Sequence, residues 1–107
     1  MTRRDHSDDQ GLLVALRHPV RRSLLLEMVD EEAISPRELA DRLELPLSNV
    51  SYHVRVLADC GAIIEVGTKP VRGSLQHFYR ATVEAAWARE VLGLRERGRR
   101  RPGESSN

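Results

Sequence analysis

The chain has 107 residues, enough for a single domain with a limited hydrophobic core. Seventeen Lys and Arg residues nearly balance sixteen Asp and Glu residues, and the formal net charge is +1. Its one cysteine excludes an intrachain disulfide and a metal site built from several thiolates. Because the sequence shows neither an apolar run of about 18 residues nor a signal-peptide pattern, it predicts a cytoplasmic protein that does not span a membrane.

The first elements predicted along the chain are a polar N-terminus and two short helices. Residues 1–8 are expected to be disordered, and a first helix is expected from about residue 9 to residue 17. Pro19 suits the first position of a second helix in HPVRRSLLLEMV, because proline has no amide hydrogen to lose there. The apolar residues of this helix, which are predicted to supply core, are Leu24, Leu25, Met28 and Val29.

The segment SPRELADRL predicts a third helix with a well-marked start. Ser35 can serve as N-cap, Pro36 suits the first helical position, and Glu38 stands where a capping box requires an acidic side chain. A short apolar stripe follows, formed by Leu39, Ala40 and Leu43. Pro46 then marks a tight turn, because the residue before a proline is displaced from the helical region.

The helix expected to begin near Leu47 has two unlike faces. Its apolar side carries Leu47, Val50, Val54 and Leu57. The other side carries hydrogen-bonding groups and one strong cation, namely Ser48, Asn49, Tyr52 and Arg55. An ordinary solvated face would carry mostly Glu and Lys, whereas these groups suit base edges and phosphates. The two helices predict a DNA-binding helix-turn-helix, although a plain helical hairpin would show the same caps and stripe.

A β-hairpin is predicted after Gly61, which is expected to end the fourth helix. AIIEVGTK and LQHFYRA both alternate and are rich in strand-forming residues, and a turn containing Pro70 and Gly73 separates them. Lys69 and Arg72 are expected in the loop. Since a hairpin in this position is a wing, the predicted fold class is mainly α with a small β-hairpin, a winged helix-turn-helix.

Thr82 is expected to cap a last helix whose apolar side needs a covering surface. Trp87, Val91 and Leu94 recur at i, i+4 and i+7, so either a second subunit or the chain's own domain must cover them. The sequence then becomes arginine-dense and afterwards rich in Gly, Ser and Pro. It therefore predicts a domain over residues 9–94 and a disordered basic tail over residues 95–107, which either contacts DNA phosphates or stays solvated.

Four segments in this order resemble the ArsR/SmtB-type winged helix-turn-helix family over about residues 12–94. They are HPVRRSLLLEMV, SPRELADRL, LSNVSYHVRVLADCGAI and the hairpin ending in HFYRAT, and NVSYHVRVLADCGAI is the most specific of them. The resemblance implies a homodimeric transcriptional regulator, a repressor that binds a palindromic operator in double-stranded DNA. Its recognition helix, about residues 47–58, would enter the major groove, and its wing, residues 63–81, would lie on the DNA backbone.

The resemblance also implies roles for individual residues. The expected DNA-binding residues are Ser48, Asn49, Ser51, Tyr52, His53, Arg55, Lys69 and Arg72. The expected dimer interface, between N- and C-terminal dimerisation helices, comprises Leu12, Leu13, Leu16, Trp87, Val91 and Leu94. The small net charge leaves an alternative open, a winged-helix module that binds another protein and no specific DNA.

One departure from the family concerns the signals that its members sense. Members that sense metals through the helix before the turn carry a cysteine pair there, and this chain has ELADRLEL instead. No metal site and no cofactor are therefore predicted, because the four histidines also lack ligand spacing. Cys60 is expected to be a buried, inert thiol, and redox sensing through a depressed thiol pKa is the alternative. A small-molecule effector stays unassigned.

Catalysis finds no support in the sequence. No nucleophile with a base partner, no phosphate-binding Gly-rich loop and no paired carboxylates stand at mechanistic spacing. Charge is nevertheless segregated, since the region before the turn is acidic and the helix and wing carry Arg55, Lys69, Arg72 and Arg80. This asymmetry would orient the domain on DNA despite the small net charge.

Overall fold

The computed structural model describes residues 11–99, and their side chains up to residue 93. A helical segment at residues 11–15 (α1) precedes α2 (Pro19–Met28), α3 (Pro36–Leu43), α4 (Leu47–Asp59), β1 (Ile63–Val71), β2 (Ser74–Ala81) and α5 (Ala85–Arg99). The two strands form an antiparallel hairpin beside the helices. The predicted fold class, mainly helical with one hairpin, is confirmed. The expected disorder of residues 1–8 lies outside the described residues.

Helix α1 ends at residue 15, two residues before its predicted end, and arginines of α2 cap its carboxyl end. Arg21 Nε donates to Ala15 O at 2.7 Å, and Arg22 Nη1 donates to Leu16 O and Arg17 O at 2.8 and 3.0 Å. Arg22 is only 3% exposed. Because the last carbonyls of a helix lack partners within it, these guanidinium groups fasten α1 to α2.

The predicted start of α3 is confirmed. Ser35 Oγ accepts a hydrogen bond from Glu38 N at 3.2 Å, and Glu38 Oε1 accepts one from Ser35 N at 3.0 Å, which completes the capping box. Glu44 ends the helix in the left-handed region with φ 57°. Helix α4 begins directly after Pro46, so the sharp turn joins two helices without a long loop.

The hydrophobic core lies between the helices and the base of β1. Its most buried side chains are Leu24, Leu25, Met28, Ile34, Leu39, Val50, Val54, Leu57, Ile63, Ala88 and Leu92. Val50, Val54 and Leu57 were predicted to face inward, and they do. Leu47 was also assigned to the core, but it is 38% exposed because it is the first residue of α4 and lies on a groove at the surface.

The hairpin is longer than predicted and has a tighter turn. Val71 pairs with Ser74, so the turn consists only of Arg72 and Gly73, which have φ values of 43° and 82°. A two-residue hairpin turn of this kind needs positive φ at both central residues. Lys69 therefore lies in strand β1 and not in the loop, together with Pro70.

The C-terminal part differs from the prediction in two respects. Thr82 does not cap α5, because its Oγ1 donates to Gly61 O at 2.6 Å and so joins the end of the wing to the end of α4. Helix α5 starts at Ala85 and runs to Arg99, so the backbone is still helical beyond residue 95, where the disordered tail was expected to begin. Residues 100–107 lie outside the described residues. No helix in the described part of the chain has the length and apolarity needed to cross a membrane.

Candidate nucleic-acid interface

One face of α4 is open to solvent. Ser48, Asn49, Tyr52 and Arg55 are exposed, and Tyr52 retains 59% of its accessible surface. We call these four residues the reading face. Tyr52 follows Ser48 by four positions and Asn49 by three, and Arg55 follows Tyr52 by three, so the four residues form one continuous surface of hydrogen-bonding groups. Such a surface can contact base edges in a groove of duplex DNA.

A groove of about 450 Å³ separates α4 from the wing, and we call it the wing groove. Helix α4 lines it with Ser51 and Arg55, the start of α3 with Arg37, and strand β2 with Gln76 and His77. Two guanidinium-bearing side chains beside hydroxyl and amide groups suit a sugar-phosphate backbone. Lys69 and Arg72 do not line this groove, but both are exposed farther out on the wing.

Arg37 was missed by the sequence reasoning, which placed it on the solvated side of a supporting helix. The structure brings Arg37 to the same groove as Arg55. The sequence feature that could have identified Arg37 was its position in the first turn of α3, where the free amide groups of the helix also favour binding of an anion. Among the described residues, no carboxylate forms an ion pair with Arg37, Arg55, Lys69 or Arg72. These cations are therefore available to an external anion.

Other cations are paired with acidic side chains away from the wing groove. Arg42 lies 3.3 Å from Glu27 and 3.0 Å from Glu31, and Arg89 pairs with Asp30. These pairs are at least partly exposed and contribute little to the free energy of folding. They do offset much of the acidic charge of this region, while no carboxylate in the described part of the chain pairs with the cations near the reading face.

His53 is not on the reading face, which corrects its expected role as a phosphate contact. It is 4% exposed, because on the helix it lies between Val50 and Leu57 of the buried side. Its ring centroid lies 4.4 Å from that of His18, and Arg21 Nη1 lies 3.4 Å from His53 Nδ1. Since a guanidinium only donates, we assign His53 Nδ1 as the acceptor and place the proton of the neutral ring on Nε2.

Burial lowers the pKa of His53 below its usual 6.5, and the nearby charges of His18 and Arg21 lower this pKa further. The unfolded chain therefore binds this proton more readily than the folded protein does. The free energy of unfolding has its full contribution from His53 above about pH 6.5 and declines as the pH falls from there towards the folded-state pKa.

We expect the substitution His53→Gln to flatten this decline, because glutamine can accept a hydrogen bond from Arg21 but does not titrate. Urea denaturation at several values between about pH 7.5 and about pH 5 measures the effect. His77→Gln is the matched control, since His77 is exposed on the wing, where its Nδ1 lies 2.8 Å from Glu65 Oε2. A His53→Gln protein that keeps the same acid-side slope contradicts the assignment.

Cys60 caps the end of α4 and is half-buried, so it is less enclosed than predicted. Its Sγ donates to Leu57 O at 3.4 Å, within the last turn of the same helix. Among the described residues, no three His, Cys, Asp or Glu side chains lie close enough together to hold a metal ion.

A second surface, formed by α1 and α5, is apolar. Leu13 and Val14 are 63% and 56% exposed, and Val91 is 39% exposed. We call these three residues the terminal apolar face. Beside it lies a groove of about 280 Å³, lined by Leu13, Leu16, Arg17, Trp87, Val91 and Leu92. The other side of α5 packs on the chain's own core through Ala88 and Leu92.

The expected interface residues divide between this surface and the core. Leu13 and Val91 are exposed, whereas Leu16 is 6% exposed and packs in the chain's own core, which corrects its assignment to a dimer interface. Leu12 and Trp87 are half-buried against the core. The side chain of Leu94 lies outside the described residues. Val14 was missed because residues 12–16 are all apolar, so the sequence pattern does not show which of them are exposed.

Comparisons with known proteins agree with this architecture. A model of a helix-turn-helix domain family matches residues 16–67. Three similar solved structures are reduced HlyU from Vibrio cholerae N16961 (24% identity, TM-score 0.60, 91% of this chain and 94% of that one), the transcriptional repressor PagR of Bacillus anthracis (22%, 0.61, 84% and 94%) and NolR from Sinorhizobium fredii (21%, 0.57, 89% and 87%). No curated protein matches the chain in sequence.

The helix-turn-helix match, the hairpin after α4 and the similar structures define the class of the fold as a winged helix-turn-helix. Within that class, the segments that resemble ArsR/SmtB-type proteins fall on the helices and the wing of this fold.

Proposed function

We propose that the protein is a sequence-specific DNA-binding transcriptional regulator. The observation that carries this proposal is the reading face of α4, which presents three hydrogen-bonding side chains and Arg55 to solvent beside the wing groove. Side chains of these types distinguish base pairs in the major groove. The likeness to PagR, which is described as a transcriptional repressor, supports repression as the outcome. The proposed activity is binding in the cytoplasm, without catalysis.

In the proposed complex α4 enters the major groove. Asn49, Tyr52 and Arg55 would contact base edges, and Ser48, at the start of the helix, would contact either a base or a phosphate. The wing groove, with Ser51 and Arg37, would receive the backbone of one strand. Lys69 and Arg72 would contact phosphates farther along the duplex. Arg37 thus replaces His53 in the set of residues proposed to contact DNA.

We also propose that a second copy of the chain covers the terminal apolar face. Leu13, Val14 and Val91 are exposed together on two helices, as apolar residues at an interface are, and the groove of about 280 Å³ beside them can receive side chains of a partner. A two-fold dimer would place two copies of α4 in successive major grooves about 34 Å apart. Its operator would accordingly be palindromic.

Selection of bound sites from random duplex DNA at about 0.15 M salt tests the function. We expect enrichment of a palindromic motif whose half-sites lie about one helical turn apart. A competition with heparin measures non-specific attraction to a polyanion in the same experiment. Failure to enrich any motif, with affinity for DNA no higher than for heparin, would instead favour a winged-helix module that binds another protein.

A further inference from the structure

Besides the bond of Thr82 to Gly61 at the end of the hairpin, the wing is attached to the rest of the domain at two further levels. At its base, Ile34 N donates to Tyr79 O and Tyr79 N donates to Ile34 O, both at 2.9 Å. Farther out, Gln76 Nε2 donates to Ser35 Oγ at 2.8 Å. Ser35 is the N-cap of α3, so the second attachment joins β2 directly to the helix-turn-helix.

The part of the wing beyond its base has a point at which it can bend. The strand register shifts between Glu65 and Gly67, which leaves Val66 as a bulge just beyond the level of Tyr79. A bulge interrupts the ladder of hydrogen bonds, and a following glycine has no side chain to restrain the backbone. Residues 67–78, which we call the outer wing, are joined to the base across this bulge by strand pairing and by the hydrogen bond of His77 to Glu65. Neither of these fixes the angle between the outer wing and α4, so that angle depends on a contact with the helices.

Gln76 supplies that contact. Among the described residues, its bond to Ser35 is the only hydrogen bond that joins the outer wing to a helix or its cap. The level of attachment is also informative, because Gln76 pairs with Lys69 across the hairpin. Only two residue pairs separate this level from the turn that contains Arg72.

Ser35 is a rigid partner for this bond. It is fully buried, and its hydroxyl has one donor and two acceptor sites. Glu38 N and Gln76 Nε2 donate to the two acceptor sites, and the hydroxyl donates to Glu38 Oε1 at 3.3 Å. Each hydrogen-bonding site of Ser35 Oγ is thus used. The same oxygen atom is bonded both to the first turn of α3 and to strand β2 of the wing, and these bonds hold it in place.

We propose that Gln76 is a positioning residue, which through Ser35 holds the outer wing at the angle that lets Lys69 and Arg72 contact DNA while α4 lies in the major groove. This inference rests on the proposed DNA binding. A wing held in place before binding loses less conformational freedom in the complex than one that pivots at Val66. Gln76 thereby contributes to affinity without itself having to contact DNA.

A double-mutant cycle on DNA affinity tests the proposal, with Gln76→Ala, Arg72→Asn and the double variant measured on the selected operator at several salt concentrations. Asparagine removes the charge of Arg72 but tolerates the positive φ of that turn position. In the otherwise unchanged protein, Arg72→Asn is expected to lower affinity about 5- to 10-fold and to reduce the salt slope by about 1. In the Gln76→Ala protein, adding Arg72→Asn is expected to lower the affinity for DNA less than about 2-fold and to leave its salt slope nearly unchanged.

Thr68→Ala is the matched control, because Thr68 is an exposed residue of the outer wing that does not line the wing groove. The effect of this control substitution on DNA affinity is expected to be the same with and without Arg72→Asn. The positioning role would be overturned if Gln76→Ala and Arg72→Asn lower the affinity for DNA independently of each other. An Arg72→Asn protein that binds DNA as tightly as the unsubstituted protein would overturn it too. An unsubstituted protein that binds DNA no better than heparin would overturn the proposed function and this inference together.

Discussion

The variant Arg55→Ala is expected to bind the selected operator about 10- to 100-fold more weakly than the unsubstituted protein while keeping its fold. An arginine that contacts a base or a phosphate in a specific complex contributes about 1–3 kcal/mol, and 1.4 kcal/mol corresponds to a factor of 10. Arg55 is exposed in the last half of α4 and lines the wing groove. Its removal therefore takes away the strongest charge of the reading face without opening a cavity in the core.

Arg42→Ala is the matched control for this measurement. Arg42 is also an exposed helical arginine, but it pairs with Glu27 and Glu31 and does not line the wing groove. The two variants have the same change in net charge, so a general electrostatic effect would weaken both alike. A much larger loss for Arg55→Ala indicates a local contact, and equal losses contradict the placement of Arg55 at the DNA.

The same variant distinguishes two kinds of contact. If Arg55 binds a guanine through two hydrogen bonds, site selection with Arg55→Ala is expected to lose its preference at one base pair of each half-site. If Arg55 binds a phosphate, affinity falls for all sequences alike and the salt slope falls by about 1. Affinities for the operator and for one-base variants of it, measured at two salt concentrations, separate these outcomes.

The helix-turn-helix was predictable from sequence because its signals are local. The capping box of Ser35 and Glu38 lies within one turn, and the spacing of Val50, Val54 and Leu57 defines the inner side of α4 without knowledge of what it packs against. The wing was predictable for the same reason, since alternation and a glycine-containing turn are properties of neighbouring residues.

The errors arise where a residue's environment comes from a distant part of the chain. His53 was assigned to the DNA contacts through the family resemblance, whereas it lies on the buried side of α4, packed beside His18 and Arg21. Thr82 looks like a helix cap in sequence, but the carbonyl of Gly61, 21 residues earlier, accepts its hydroxyl hydrogen bond. A hydrogen bond between residues so far apart in the sequence leaves no periodic pattern.

The same limit applies to the candidate site. The sequence names the exposed residues of α4 from periodicity, but it does not show that Arg37 and Arg55 line one groove. The bond between Gln76 and Ser35 likewise joins residues that are 41 positions apart. The residues proposed to contact the DNA backbone are therefore brought together by tertiary contacts, which the sequence does not show. The residues proposed to contact bases lie on one helix, and its periodicity already indicated them.

The variant Leu13→Asp is expected to be monomeric and to bind the palindromic operator more than about 100-fold more weakly, because the avidity of two linked half-site contacts is lost. Leu13 is 63% exposed in the monomer, so aspartate there changes the free energy of folding little. In a dimer that covers the terminal apolar face, the same carboxylate would be buried without a partner, which is costly. Sedimentation at micromolar concentration and operator titration measure the two effects.

Ile64→Asp is the matched control, because Ile64 is 41% exposed on β1 and lies outside the terminal apolar face. This variant is expected to sediment as a dimer, like the unsubstituted protein. Affinity for an isolated half-site provides the second comparison, since one reading face contacts it in either oligomeric state. Leu13→Asp should leave that affinity unchanged, so a loss on the palindrome alone locates the effect in the dimer. A Leu13→Asp protein that remains dimeric would instead show that the two copies associate through another surface, and the terminal apolar face would need a different occupant.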